Sequence, residues 1–199
     1  MKTVNQFING KEHISKSERF GDVFNPANGE ITKKVSFANN DDVKLAIDCA
    51  VEAGKKWAAT PPLTRSRVFF RFKDLILRDM DKLALELTSE HGKILSDSAG
   101  SITRGMEVVE FACGIPHLLK GEYSENVGTD IDSWSMRQPL GVSVGISPFN
   151  FPAMVPMWMF VISIACGNSF ILKPSEKDPT VPYMICLLYT SPSPRDTRE

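Results

Sequence analysis

Two short segments of this 199-residue chain hold the groups best able to do chemistry. In Ser147-Pro148-Phe149-Asn150-Phe151-Pro152 a side-chain amide lies between two prolines, whose fixed φ angles stiffen the loop on either side. A primary amide so placed can donate an N–H to an oxygen that gains negative charge during acyl transfer. In Lys173-Pro174-Ser175-Glu176 an ammonium and a carboxylate follow an apolar run. One donates and the other accepts, a pairing suited to the two hydroxyls of a ribose. Neither segment contains a nucleophile, so both belong to a site that binds and stabilises rather than attacks.

The residues between these segments must position them. Val142 to Ile146 reads as a short buried strand, Pro152 to Cys166 as a helix, Gly167-Asn168-Ser169 as a turn, and Ser169 to Leu172 as a second strand. A helix joining two apolar strands implies a parallel pair in an α/β sheet. Pro152 to Leu172 carries no charge and approaches the roughly 20 residues a bilayer span needs. Pro152, Pro156 and the turn interrupt it, and no basic flank orients it, so the reading is a buried helix and strand rather than a span.

Upstream, residues 3–38 form a small irregular β region, with turns at Asn9-Gly10 and around Asn25-Pro26-Ala27-Asn28-Gly29. From Asn40 the period changes to that of a helix. Val43, Ala46, Ile47, Ala50, Val51 and Gly54 share a stripe, with Asn39 or Asn40 as N-cap and a stop before Pro61-Pro62. A second helix runs from Thr64 to about Arg78, facing a core with Val68, Phe69, Phe72, Leu75 and Ile76. A third runs from Lys82 to His91 and ends at Gly92. A helical segment from Ile94 to Leu119 is expected to be interrupted at Gly100 and Gly114. Ile131 to Met136 alternates like a strand, and a turn at Gln138-Pro139-Leu140-Gly141 leads into the central unit. Residues 186–199 lose apolar periodicity and turn rich in Ser, Pro and charge, so they are expected to be disordered or the translation of a junction.

Composition narrows the function. A net charge of −1 offers no basic excess for phosphate backbones or anionic lipid, which speaks against nucleic-acid and membrane partners. Cys49, Cys113, Cys166 and Cys186 are scattered, with no metal-binding spacing and no disulfide framework, and fit a reducing compartment. The N-terminus has neither a secretory core nor an Arg-rich presequence, so a cytoplasmic protein is expected, or a mitochondrial one if a presequence is missing.

Read as a whole, Met136 to Pro152 followed by Cys166-Gly167-Asn168-Ser169-Phe170-Ile171-Leu172-Lys173-Pro174-Ser175-Glu176 resembles the aldehyde dehydrogenase superfamily, over about residues 3–185. Phe149, where many relatives carry tryptophan, and the Met-rich run Pro152 to Phe160 resemble its CoA-acylating methylmalonate-semialdehyde dehydrogenases. The resemblance implies an α/β fold, the N-terminal part of the aldehyde dehydrogenase fold. Residues 1–185 would form a partial, Rossmann-like NAD-binding domain, within which residues 121–138 resemble oligomerisation strands. It implies that Asn150 is the oxyanion donor and that Lys173 and Glu176 hold the adenosine ribose of NAD. Ser147 and Phe149 would contact that cofactor, with Lys177 beside its adenosine half. Arg104 would meet a substrate carboxylate, although pairing with Glu107 is an equally open role.

The same resemblance places the nucleophilic cysteine and the catalytic domain beyond residue 199, since none of the four cysteines here has a matching context. It implies conversion of methylmalonate or malonate semialdehyde and CoA to propionyl-CoA or acetyl-CoA, CO2 and NADH, by a homo-oligomer. This chain would be silent by itself. An ordinary non-acylating aldehyde dehydrogenase and a non-catalytic strand-pairing module remain as alternatives. No metal is implied.

Overall fold

The computed structural model describes residues 2–190. Five strands open the chain: β1 (Lys2–Val4), β2 (Gln6–Ile8), β3 (Lys11–His13), β4 (Phe20–Asn25) and β5 (Glu30–Ser36). β2 and β3 pair through a two-residue turn in which Asn9 and Gly10 take φ of 53° and 73°, the geometry that matches the twist of a hairpin. β5 lies between β4, antiparallel, and β1, parallel.

Helix α1 (Asn40–Ala59) starts with a capping box. The Asn39 side chain accepts from the Asp42 N–H, and the Asp42 carboxylate accepts from the Asn39 N–H. The buried Asp42 also receives the Ser15 hydroxyl at 2.5 Å and meets His13 Nε2 at 2.7 Å, which ties the β region to the helix start.

A helical layer follows: α2 (Pro62–Arg78), α3 (Met80–His91), α4 (Leu95–Cys113) and the single turn α5 (Ile115–Leu118). Phe69, Phe72 and Ile76 of α2, Leu83 and Leu87 of α3, and Ile102 and Val109 of α4 are sealed in one core, with Leu75 at its margin, while Val68 of the expected face is half-buried. Gly100 does not interrupt α4, contrary to expectation. One glycine costs a helix about 1 kcal/mol, and the buried face formed by Ser101, Ile102, Met106 and Val109 offsets that. Next comes an antiparallel hairpin, β6 (Tyr123–Gly128) and β7 (Ile131–Trp134), every residue of which is exposed.

The central unit is β8 (Val142–Ile146), α6 (Met154–Ala165) and β9 (Ser169–Lys173), with β8 and β9 parallel as expected. α6 begins two residues later than the sequence suggested and spans 12 residues. No helix among the described residues is long and apolar enough to cross a membrane. Its C-terminal end is held by the buried Arg65, whose Nε donates to Ala165 O at 3.0 Å and Nη1 to Thr60 O at 2.6 Å. Trp57 Nε1 adds a bond to Ile164 O at 2.7 Å. A cation on the last carbonyls of a helix also suits its dipole.

α1 packs on β9 and β8, but only Ala46, Cys49, Ala50, Gly54 and Trp57 are half-covered. Val43, Ile47 and Val51 of the predicted stripe stay exposed. Two strands are too narrow a platform to cover a stripe that wide.

The final helix, α7 (Thr180–Thr190), corrects the expected tail. Residues 186–190 continue this helix instead of being disordered, because Ile185 and Leu188 are buried and the Tyr189 ring packs at 5.6 Å on Phe72 and 6.1 Å on Phe160. The remainder of that tail, residues 191–199, lies outside the described residues.

Candidate active-site loops at the ends of two parallel strands

Ile146 and Lys173 are paired at the C-terminal ends of β8 and β9, so residues 147–153 and 174–179 leave the sheet side by side. The Ser147 N–H donates to Lys173 O at 3.1 Å and extends the pairing into the loops. The crevice beyond the carboxyl ends of parallel strands is where open α/β sheets bind ligands.

In the first loop, Asn150 is exposed, and among the described residues no group is hydrogen-bonded to its side-chain amide. Its neighbours in kind behave differently. Asn25, Asn39 and Asn168 each spend a side-chain oxygen on nearby backbone N–H groups. An asparagine serving only its own turn would do the same. The backbone of Asn150 is nonetheless held, since Lys93 Nζ donates to its carbonyl at 2.8 Å and stands 3.9 Å from the centre of the Phe151 ring.

In the second loop, Lys173 Nζ and Glu176 Oε2 are 3.2 Å apart and both side chains are more than half or half exposed, at 57% and 50%. A backbone N–H first, and then Lys173, hold the Glu176 carboxyl below its ordinary value, so it is an ionised acceptor at neutral pH. Ser175 is buried and accepts from the Lys177 N–H at 3.1 Å. It closes a turn of the loop and does not cap the following helix, which starts only at Thr180. The two loops are joined by Lys177 Nζ, 4.4 Å from the centre of the half-exposed Phe149 ring. Ser147 is 5% exposed and its hydroxyl has no partner. An orphan hydroxyl, an aromatic face and an exposed ammonium–carboxylate pair at the end of a parallel strand pair are groups that fit a ribose-bearing dinucleotide.

Arg104 stands exposed on α4, and its carbonyl receives the Trp158 indole N–H at 3.4 Å. Among the described residues it forms no ion pair with Glu107. Its charge reaches Lys93: burial first lowers the Lys93 pKa, and Arg104 adds to this against the opposing pull of Asp97 and Asp178. The sequence offered no sign of Lys93, which lies 57 residues from Asn150 and follows a helix-ending glycine.

Behind the loops is a groove of about 340 Å³ bounded by Phe24, Pro26, Glu90, His91, Phe149 and Asp178. Glu90 is fully satisfied there, by Lys33, the Thr180 N–H and the Thr180 hydroxyl. Asp178 is not: it is 2% exposed with one carboxylate oxygen unpartnered. Burial pushes it up to about 7, against the hydrogen bond of Ser175 and with help from the Glu90 charge. A carboxyl raised above its unfolded value binds its proton more tightly when folded, so its contribution to stability falls as pH rises from 3.8 to about 7 and levels off above. Asp178→Asn removes this loss. Its melting temperature relative to the parent is expected to be little changed at about pH 4 and raised at about pH 8, by differential scanning fluorimetry. Equal shifts at both pH values would show that the carboxyl does not titrate in this way.

Three of the four cysteines are poor nucleophiles. Burial raises the thiols of Cys113, Cys166 and Cys186, the last to about 11, and a raised thiol forms little thiolate.

Residues 13–193 match the aldehyde dehydrogenase family model. The chain belongs to the aldehyde dehydrogenase family. The malonate-semialdehyde dehydrogenase of Pseudomonas aeruginosa is 50% identical over 95% of this chain and 38% of its own length. The acylating, mitochondrial methylmalonate-semialdehyde dehydrogenase of Arabidopsis thaliana is 52% identical over 88% of this chain and 29% of its own. A crystal structure from Sinorhizobium meliloti, named for methylmalonate-semialdehyde dehydrogenase and complexed with NAD, superposes with a TM-score of 0.93 at 50% identity, covering 95% of this chain and 38% of that one. This aldehyde dehydrogenase chain thus spans about two-fifths or less of the length of these relatives, and its fold is the N-terminal part of theirs.

Proposed function

We propose that this chain supplies the oxyanion donor and the ribose-holding pair of an NAD-dependent, CoA-acylating dehydrogenase acting on methylmalonate or malonate semialdehyde. The uncommitted, exposed amide of Asn150, beside an exposed Lys173–Glu176 pair, carries the reading. The names of the relatives support the substrate class and the acylating reaction, and the NAD complex of a close structural match supports the cofactor.

In this reading a thiolate from elsewhere in the enzyme adds to the aldehyde carbon, and its oxygen takes up negative charge as a thiohemiacetal forms. The Asn150 NH2 donates to that oxygen. Bound NAD supplies the hydride acceptor that leaves a thioester, from which CO2 is lost and the acyl group passes to CoA. Glu176 accepts from the ribose hydroxyls and Lys173 donates to them. Ser147 and Phe149 contact the same cofactor, and Lys177 lies by its adenosine half. Arg104, a permanently charged fork, meets the substrate carboxylate. Residues 1–185 form the NAD-binding part. The exposed hairpin of Tyr123, Val127, Ile131 and Trp134 is where subunits pair into a dimer or tetramer. With none of its four cysteines in the context of the family's nucleophile, the chain alone turns over no aldehyde.

ADP-ribose titrated calorimetrically into the 199-residue chain tests the clamp. Lys173→Met and Glu176→Gln are each expected to weaken binding about tenfold, the scale of a lost hydrogen bond to a charged group. Unchanged affinity in both variants would place the ribose elsewhere. The acylation chemistry is tested in a chimera in which residues 2–190 replace the matching segment of the Pseudomonas aeruginosa relative. Steady-state NADH formation by it should require CoA while the first turnover does not, and steady turnover at the full rate without CoA would show a non-acylating reaction.

A further inference from the structure

We propose that Lys93 is the positioning residue for Asn150: by holding the carbonyl of that residue and the ring of the next, it sets the direction in which the amide donates. This rests on the reading of Asn150 as oxyanion donor.

The loop needs such a hold. Pro148 and Pro152 fix φ at its two ends and the Phe151 carbonyl accepts from the Val155 N–H at 3.2 Å, but Phe149 and Asn150 keep their backbone freedom, and the Asn150 side chain bonds to nothing. A donor must lie within about 0.5 Å of its productive position to be effective. The Asn150 carbonyl belongs to the planar peptide that joins residues 150 and 151. The bond from Lys93 Nζ at 2.8 Å therefore restrains ψ of Asn150, and the Phe151 ring, 3.9 Å from the same ammonium, anchors the residue on the other side of that peptide. Lys93 thus restrains the peptide that adjoins the Cα from which the amide side chain projects.

Lys93 is itself rooted in rigid structure. Gly92, at φ 84°, ends α3, and Ile94, extended at ψ 153°, begins α4, so Lys93 is the one residue between two helix ends. A Cβ at Gly92 would come within 2.8 Å of Pro26 Cγ, which shows how closely the β region presses on this junction. α4 in turn packs along α6, the helix that follows the Asn150 loop. The ammonium and the loop it holds are thus two parts of one frame.

A double-mutant cycle in the chimera tests this, read as the single-turnover rate of NADH formation and as NAD affinity. Lys93→Met is expected to slow single turnover about tenfold, less than loss of the donor itself, and to leave NAD affinity within about twofold, because the ribose pair lies beyond this loop and the cofactor contacts within it, Ser147 and Phe149, are held by the Lys173 carbonyl and by Lys177. Lys93→Arg, which keeps a cation of similar reach, should recover most of the rate. In an Asn150→Ala background, Lys93→Met should cost nothing further. Equal slowing in both backgrounds, or a parallel loss of NAD affinity, would overturn the positioning role. An Asn150→Ala variant with full activity would remove the premise instead, so the two failures are distinct. Should Lys93→Met fold poorly, Lys93→Gln in the 199-residue chain gives a second readout. The Asn150 side-chain NH2 resonances should broaden or collapse relative to the parent, and unchanged signals would contradict the proposal.

Discussion

Asn150→Ala in the chimera is expected to lower the single-turnover rate of NADH formation by about 100- to 1,000-fold while NAD affinity stays within about twofold of the parent. The separation follows from the architecture. Asn150 stands on the loop after β8, whereas Lys173 ends β9 and Glu176 stands on the loop after it, and the cofactor contacts nearest Asn150, Ser147 and Phe149, have holds of their own in the Lys173 carbonyl and Lys177. An amide that bonds to nothing in the resting protein gives up nothing when an oxyanion arrives, so its whole contribution appears in the rate and not in binding. Removing it should also leave the fold unharmed, because no structural bond is lost with it. A variant that melted early, or that lost cofactor and rate together, would mean that the side chain props the loop and is not reserved for the reaction. Asn150→Asp is informative beside it. The carboxylate has the same shape but no N–H to offer, and a negative charge faces the developing oxyanion, so the loss should be at least as large.

Glu90→Ala is expected to destabilise the chain by about 3–5 kcal/mol, because it leaves the two buried donors of Thr180 without their acceptor and takes from the half-buried Lys33 one of its two carboxylates. The Glu90 side chain is completely enclosed. It receives Lys33 Nζ at 2.9 Å from the β region, and both the N–H, at 3.0 Å, and the hydroxyl of Thr180 from the first turn of α7. Burial pulls the Lys33 pKa down, but its bonds to Glu86 and Glu90 more than reverse this, so the ammonium stays charged where it is half-hidden. Glu90 thereby ties β5, α3 and the end of the ribose-binding loop together. For a domain of this size the loss corresponds to a fall of about 6–20 °C in melting temperature. Glu90→Gln keeps an acceptor for Thr180 and gives up only the charge facing Lys33, which Glu86 still balances in part, so its fall should be clearly smaller. If the alanine variant melted within about 2 °C of the parent, the network would be dispensable. ADP-ribose binding offers an independent check, since a loosened Thr180 should weaken the Lys173–Glu176 clamp several positions upstream.

Much of the fold was legible because it is governed by local rules. Asn39 and Asn40 ahead of two aspartates mark a helix start, Asn9-Gly10 a tight hairpin turn, and Gly92 a helix end, and the fold shows which asparagine caps: Asn39, in a box with Asp42. The two strands around α6 follow from apolar runs separated by a turn. Misreadings occurred where burial outweighed local pattern. Residues 186–190 carry a polar Thr190 and a tyrosine, yet Tyr189 finds Phe72 and Phe160, which come from other helices. Gly100 looked like a break, but the core face of α4 holds the helix through it.

The sequence by itself determined which groups are available here: an amide between prolines, and an ammonium and carboxylate three positions apart, each able to act only in binding or charge stabilisation. Tertiary structure alone decided what they do together. It placed the two loops side by side at the ends of parallel strands, left the Asn150 amide unclaimed, and brought Lys93 from a distant helix junction onto the Asn150 carbonyl. The reason is physical. Residue type limits the hydrogen bonds a group is able to make, whereas which of them are already spent depends on neighbours that only the folded chain brings within about 3 Å.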